Sequence, residues 1–455
     1  MSRIYTELDA FAQWPSDQRT RALQTLIPIH QLHDAITRSA LPSRFCRRLP
    51  NWFLLWFVVG LGLFARDNYR QIFKYLQPLR GGKTPGRSTL AMARQRLGVA
   101  PIRHLCEAIA TLRAEPTTPG SFYRGYRLMA LDGFVLDLAD TPANDRVFSR
   151  PKAGRGGCAY PQVRVLGLCE VGTHTLWRVQ IKPSRRGEPS IAPALLRHLR
   201  PDMLLIWDRG FFSYPLIRQV VVQKAQLLAR VKAGSLVLKR VRDLRDGSYL
   251  STVYPSARDR DRDQNGIVVR VIEYTLRDPT RVGCGQKHRL LTTLLDETRD
   301  SATQLVEAYH ERWEEELVID ELKTHQRERP VLRSRTPGGV VQEVYALLTG
   351  HTLVRGVMVE AARAAGVAPR RVSFVGALKI LRCRLAECPS DEPGRGQWYA
   401  KMVAEIAEEV LPKRRNRINP RVLKKTTSAW PKKRPKHLAT PQPKVPFRDT
   451  VQILR

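Results

Sequence analysis

The sequence predicts an α/β protein in which a mixed β-sheet carries helices, set between a helical N-terminal domain and a helical C-terminal region. Three observations predict it. Apolar residues recur at helical spacing through residues 1 to 115. Between 126 and 232, three strand-like apolar runs come first, and strands then alternate with helices. That order is what a mixed sheet with helical crossovers produces. The helical period returns from residue 300. With 455 residues, 43% of them hydrophobic, the chain is long enough for several domains and at least one large core.

Taken in order, the spacing predicts helices over 23–35, 53–64, 68–76 and 88–97. The most apolar run, WFLLWFVVGLGLFA at 52–65, falls short of the roughly 20 residues of a membrane span and reads as a buried helix. The basic stretch RGGKTPGRST at 80–89 lacks the first glycine of a phosphate loop, since Gln77 stands there, and reads as a turn. EPTTPG, 115–120, is a linker by composition. Strands follow at 126–139, 163–171 and 175–182, the last two joined by a turn at 172–174. A short helix at 191–199, a wholly apolar strand at 203–207, a helix at 215–225 and a strand at 226–232 come next. Residues 233–287 break the rhythm with short strands around ARDRDRDQNG and read as a β-rich insertion, which 288–295 closes. A strong helix is predicted over 300–324, with others at 340–365, 371–385 and 398–410. The expected organisation is a helical N-terminal domain (1–115), a catalytic α/β domain (121–335, insertion 233–287), a helical region (336–412) and a basic tail (413–455). The tail stretch KRRNRINPRVLKKTTSAWPKKRPK has no acid and suits contact with a phosphate backbone.

A net charge of +35 points to a polyanionic partner, nucleic acid or an acidic membrane. The apolar run being too short for a span weakens the membrane alternative. Ribosomal and chromatin-packing proteins are usually shorter and poorer in Trp than this chain with its eight. The seven cysteines form no C-x-x-C and no metal-ligand spacing, which disfavours structural zinc, suits a reducing cytoplasm and fits small buried hydrophobes.

The acids carry the chemistry. Asp132 lies inside an apolar strand, LMALDGFVL, where an ionised carboxylate costs several kcal/mol unless it is paired or binds a metal. Asp208 ends the apolar strand 203–207, and sheet enzymes place ligand sites at strand carboxyl ends. Two such acids converge on a hard cation, which wants oxygen ligands. Asp208 taken alone reads sooner as a strand-end turn acid or a helix cap than as a metal ligand. On a continuous helix over 300–324, Tyr309, Arg312, Glu316 and Lys323 fall within roughly a 60° arc. Glu311, Glu314, Glu315 and Glu321 point elsewhere and read as a solvated face; Asp320 is the nearest rival to Glu316.

The pattern Tyr309-x-x-Arg312-x-x-x-Glu316-x-x-x-x-x-x-Lys323 resembles in full the Y-R-E-K signature of the insertion-sequence type 4 family of bacterial DDE transposases. LDGFVLDLADTPAN and WDRGFFSY resemble that family's two aspartate regions, and LPSRFCRRLPNWFLLWFVVGLGLFARDNYRQIF at 41–73, with ARQRLG at 93–98 after it, resembles its N-terminal domain. The resemblance implies a ribonuclease H-like catalytic domain with a β-strand insertion before the glutamate helix. It implies that Asp132, Asp208 and Glu316 bind two divalent ions, Mg2+ with Mn2+ as substitute. One ion would activate the attacking water or 3′-hydroxyl and the other would stabilise the leaving oxygen. Tyr309, Arg312 and Lys323 would grip the DNA near the cut end. Arg209, Arg230 and Lys232 are further phosphate contacts, argued from charge and from lying beside the sheet. The expected partners are double-stranded DNA, as terminal inverted repeats and target, and a second copy in a synaptic homodimer, at the nucleoid of a bacterial cytoplasm. Relatives stack a Trp of the insertion on a flipped base, but this chain has no Trp between Trp207 and Trp313; Tyr249, Tyr254 or Tyr274 could stack instead. The competing readings are a ribonuclease H-like nuclease or resolvase, a catalytically inactive DNA-binding descendant of a transposase, and a structural RNA-binding protein.

Overall fold

A computed structural model describes residues 18–39, 49–77, 83–153, 156–157, 159–231, 238–275 and 285–412. The eight longer strands are β1 (Tyr126–Leu138), β2 (Gln162–Glu170), β3 (Thr175–Pro183), β4 (Met203–Trp207), β5 (Gln226–Val231), β6 (Tyr249–Val253), β7 (Ile267–Tyr274) and β8 (His288–Thr292). They lie side by side in the order β3-β2-β1-β4-β5-β8-β7-β6 within a single sheet. β1, β2 and β3 form an antiparallel meander. β4 runs parallel to β1, and β5 parallel to β4. This is the ribonuclease H-like arrangement. The strands of the expected insertion are hydrogen-bonded onto the edge of the same sheet, because β8 pairs antiparallel with β5.

Side chains alternate across the strands and so divide the core. Met129, Leu131, Leu205 and Trp207 face one side, where they meet Leu216, Ile217 and Val220 of helix α7 (Tyr214–Val222). Leu128, Ala130, Leu204 and Ile206 face the other, against Leu305, Ala308 and Tyr309 of α8 (Ala302–His310). Each fully buried Leu, Ile, Val or Met among them contributes about 1.5–3 kcal/mol.

The N-terminal helices are α1 (Gln18–Leu26), α2 (Ile29–Thr37), α3 (Asn51–Leu63), α4 (Tyr69–Leu76), α5 (Arg87–Leu97) and α6 (Ala100–Ile109). The single helix expected over 23–35 is two, since Pro28 disfavours helical backbone at the residue before it and caps the second. α3 is buried on all sides, as its apolar run demands, and lies along α10 (Pro337–Ala364), the longest helix. Among the described residues no helix is long and apolar enough to cross a membrane. Helices α11 (Phe374–Arg384) and α12 (Glu392–Ala407) complete the C-terminal region.

The uninterrupted helix expected over 300–324 is not formed. After α8 the chain tightens into i→i+3 bonds, Glu311 N–H to Ala308 O and Arg312 N–H to Tyr309 O. It resumes as α9 (Trp313–Asp320) and widens into a π turn, Glu321–Gln326. No Gly or Pro marks either break in the sequence. The ion pair of Arg370 with Glu311 lies at the first break, and at the second Gln326 donates to Gly62 O (3.1 Å) and Leu347 O (2.8 Å).

Candidate active site

Asp132 and Asp208 are brought together by strand register. Leu131 of β1 pairs with Trp207 of β4, so the next residue on each parallel strand is an aspartate. By alternation both share the face of Ala130 and Ile206, beneath α8. Asp208 also accepts a hydrogen bond from Gly210 N–H at 2.8 Å, the turn-capping role that its position alone allowed.

Asp132 is the perturbed acid. Burial pushes its pKa up to about 6; the Gly133 N–H, donating at 2.7 Å, opposes that, Glu188 and Asp208 add to it, and Arg312 opposes it. Sequence reasoning does not single out Glu188. It opens the short helix Glu188–Ile191, pairs with Arg164, and lies over the bare α-carbon of Gly133, where an added Cβ would come within 2.7 Å of its Oε1. Gly133 follows Asp132 on the strand and so marks the opposite face. Nothing in the sequence around Glu188 signals this; only the fold brings it to β1.

α8 and α9 supply the rest. Arg312, at the joint between them, donates to Glu316 at 3.1 Å. Burial lowers the Arg312 pKa, while Tyr309, Glu316 and Asp132 around it raise it, the net shift being upward. The guanidinium thus feels both the glutamate and the strand aspartate. Tyr309 is buried, and burial raises its hydroxyl to about 12, with Arg312 and Arg230 opposing and Asp208 and Tyr274 adding. Arg230 of β5 lies 3.0 Å from His288 Nδ1, and the His288 and Tyr274 rings are 5.1 Å apart. Arg209 is exposed beside Asp208.

Lys323 is not gathered with them. It sits in the π turn, where burial and Arg327 lower its pKa and Asp137 and Asp320 raise it. Asp137 is five residues along β1 from Asp132, roughly 17 Å at the rise of a strand. The 60° arc assumed an unbroken α-helix, and the two breaks remove it. Lys232 lies outside the described residues. Asp320, the rival acid, is exposed and bonded to Thr324 at 2.6 Å. The solvated face expected of Glu314 and Glu321 is also corrected: both are buried, at 5% and 7% exposure. Of the three tyrosines considered for stacking, Tyr249 is buried, the Tyr254 hydroxyl bonds Asp263 at 2.5 Å, and Tyr274 is half-buried near Tyr309.

Among the described residues, no three His, Cys, Asp or Glu side chains already stand close enough to hold an ion. Glu316 is turned onto Arg312. The donor set nevertheless suits a hard divalent cation: carboxylate oxygens only, with Asp132 buried beside Glu188 and Asp208.

A ribonuclease H-like sheet with one acid inside its central strand and a second just past the end of the neighbouring parallel strand, followed by a helix bearing a glutamate, defines a class of enzymes that cut and join nucleic-acid phosphodiesters. The comparisons with known proteins give the family. Residues 123–353 match the transposase DDE domain, and residues 18–107 match the insertion element 4 transposase N-terminal domain. The chain belongs to the insertion element 4 family of DDE transposases. It is 29% identical over 395 residues to the transposase InsG for insertion sequence element IS4 of Escherichia coli K12, covering 85% of this chain and 87% of that one. It is 27% identical over 192 residues to the putative transposase InsZ of the same organism, covering 42% of this chain and 64% of that one. Among solved structures, the piggyBac transposase synaptic complex with hairpin DNA covers 88% of this chain at a TM-score of 0.44 and 11% identity, a likeness too loose to build on. The protein is therefore a DNA transposase, and its family works with divalent metal ions.

Proposed function

We propose that Asp132, Asp208 and Glu316 are the metal-binding acids of this transposase, and that they hold two Mg2+ ions for which Mn2+ substitutes. The observation that carries the reading is the convergence of Asp132 and Asp208, by strand register, beneath the helices bearing Tyr309, Arg312 and Glu316. When bound, the ions supply an activated oxygen nucleophile and neutralise charge on the leaving oxygen of the scissile phosphate. The chain's own residues do the rest. Arg312 releases Glu316 toward the strand acids and turns its guanidinium to a phosphate oxygen, a partner it matches in two-point geometry. Tyr309 keeps its proton at neutral pH and so donates to the DNA backbone. Arg230 and Arg209 extend the positive rim on one side, and Lys323 and Lys232 contact the duplex farther from the cut. Tyr274, half-buried beside Tyr309 and His288, is the side chain we assign to stack on an unpaired base.

The substrate is double-stranded DNA carrying the element's inverted repeats, the product is that DNA joined to a target, and two copies of the chain hold the two ends at the bacterial nucleoid. The test is a strand-transfer assay on DNA bearing short inverted repeats from the flanks of the reading frame. Asp132→Ala, Asp208→Ala and Glu316→Ala should each slow cleavage by at least ~10³-fold, about 4 kcal/mol in the barrier, while end binding persists. Cleavage by Glu316→Ala together with none by Asp320→Ala would replace the third acid. Products that are cut but never joined would make the protein a nuclease.

A further inference from the structure

α9 is short and is cut off from regular helix at both ends, by the tight joint at Arg312 and the π turn at Glu321. The rotation of α9 about its own axis decides where Glu316 points.

A buried cluster grips the side of α9 away from Glu316. Glu314 and Glu321 are seven residues apart, two turns on one face. Both reach the same imidazole: His174 Nε2 lies 3.1 Å from Glu314 Oε2, and His174 Nδ1 lies 3.1 Å from Glu321 Oε1. Two side chains of α10 hold Glu321 from the other direction. His351 Nε2 is 2.9 Å from its Oε2, and Arg355 donates to it through Nε at 2.9 Å and also through Nη2. Arg355 Nη2 further lies 2.6 Å from His174 Nδ1. His174, Glu314, Glu321, His351 and Arg355 are all at least nine-tenths buried. Glu316 is two residues, about 200°, around the helix from Glu314. Gripping the Glu314–Glu321 face therefore aims Glu316 at β1.

Two features mark this as more than core filling. His174 occupies the turn between β2 and β3 with φ of +57°, a conformation costly for a residue with a Cβ. Ionic groups this deep add little stability over apolar packing of equal volume, and their best-attested use is to specify one arrangement.

We propose that His174, Glu314, Glu321, His351 and Arg355 are positioning residues that lock the rotation of α9 and so set the reach of Glu316 toward the metal ions. The proposal rests on Glu316 being the third acid. It also gives the C-terminal helix α10 and the β2–β3 turn a hand in the chemistry without either touching DNA.

The experiment uses the full-length protein with end DNA and the variants Glu314→Gln, Glu321→Gln and Arg355→Lys. The first two keep shape and lose charge; the third keeps charge and loses the two-point grip. Three quantities are read for each: end-DNA affinity, the dependence of single-turnover cleavage on Mn2+ concentration, and Mn2+ binding followed by electron paramagnetic resonance without turnover. We expect unchanged DNA affinity, Mn2+ affinity weakened about 10- to 100-fold, and cleavage that recovers as Mn2+ is raised. Arg355→Lys should be the mildest. Cooperatively melting variants with wild-type Mn2+ binding and a wild-type cleavage midpoint would overturn the proposal, and so would cleavage lost at every Mn2+ concentration with Mn2+ binding intact. Glu316→Ala is the reference. If it still cuts, the assignment of the third acid fails; if it is dead while the three variants match wild type, the positioning role alone fails.

Discussion

Glu314 and Glu316 stand two residues apart and have opposite surroundings. One is buried against His174, and the other is bonded to Arg312 on the side of the sheet acids. Their difference comes from neighbours supplied by distant segments, not from residue type. His351 shows the same dependence. It is wholly buried, and burial first, then His174, lowers its pKa to about 3. In the unfolded chain an imidazole titrates near 6.5. Between those values the unfolded state binds more protons, so folding stability is complete above about pH 6.5 and is lost as the pH falls toward 3. The loss is at most about 1.4 kcal/mol per pH unit. His351→Gln keeps a donor toward Glu321 but does not titrate. It should flatten this acid limb in urea unfolding measured at pH 7 and pH 5, and an unchanged difference between the two would refute the assignment.

At the scale of elements, the decisive contact is between α3 and α10. An added Cβ at Gly62 would run into the Ala346 carbonyl, and one at Gly350 would lie 3.1 Å from the backbone of Gly62. Two helices approach this closely only where side chains are missing. Gly62→Ala should therefore cost stability at or above the upper end of the ~1–3 kcal/mol typical of overpacking, measured as a fall in the denaturation midpoint. A neutral result would mean that the helices slide apart freely. The same crossing receives Gln326 from the π turn, so we expect the destabilised variant also to need more Mn2+ for cleavage.

For the whole molecule, the net charge of +35 dominates encounter with DNA. Binding should weaken steeply with salt, with a slope of about −0.9 for each phosphate neutralised, on logarithmic axes. Removing residues 413–455, rich in Lys and Arg, should make that slope shallower by about 0.9 for each phosphate that the tail neutralises. Cleavage at low salt should persist, because the candidate site lies wholly within the preceding residues. Equal slopes for the two proteins in filter-binding titrations would exclude the tail from the DNA interface.

The sequence by itself determined the order of strands and helices, the buried nature of α3, and the candidate acids. Alternation and helical period are local properties of the chain, and an acid inside an apolar strand is visible without a partner. The Y-R-E-K spacing marked the helix region: Tyr309 lies near Asp208, Arg312 lies near Asp132, and Glu316 is bonded to Arg312. Only the tertiary structure decided the two breaks between α8 and the end of the π turn, which separate Lys323 from that group. It alone brought Glu188 beside Asp132, and His174, His351 and Arg355 onto Glu314 and Glu321. The physical reason is that a helix's breaks and its rotation are set by what packs on it. Those partners lie tens to hundreds of residues away, where no local pattern records them.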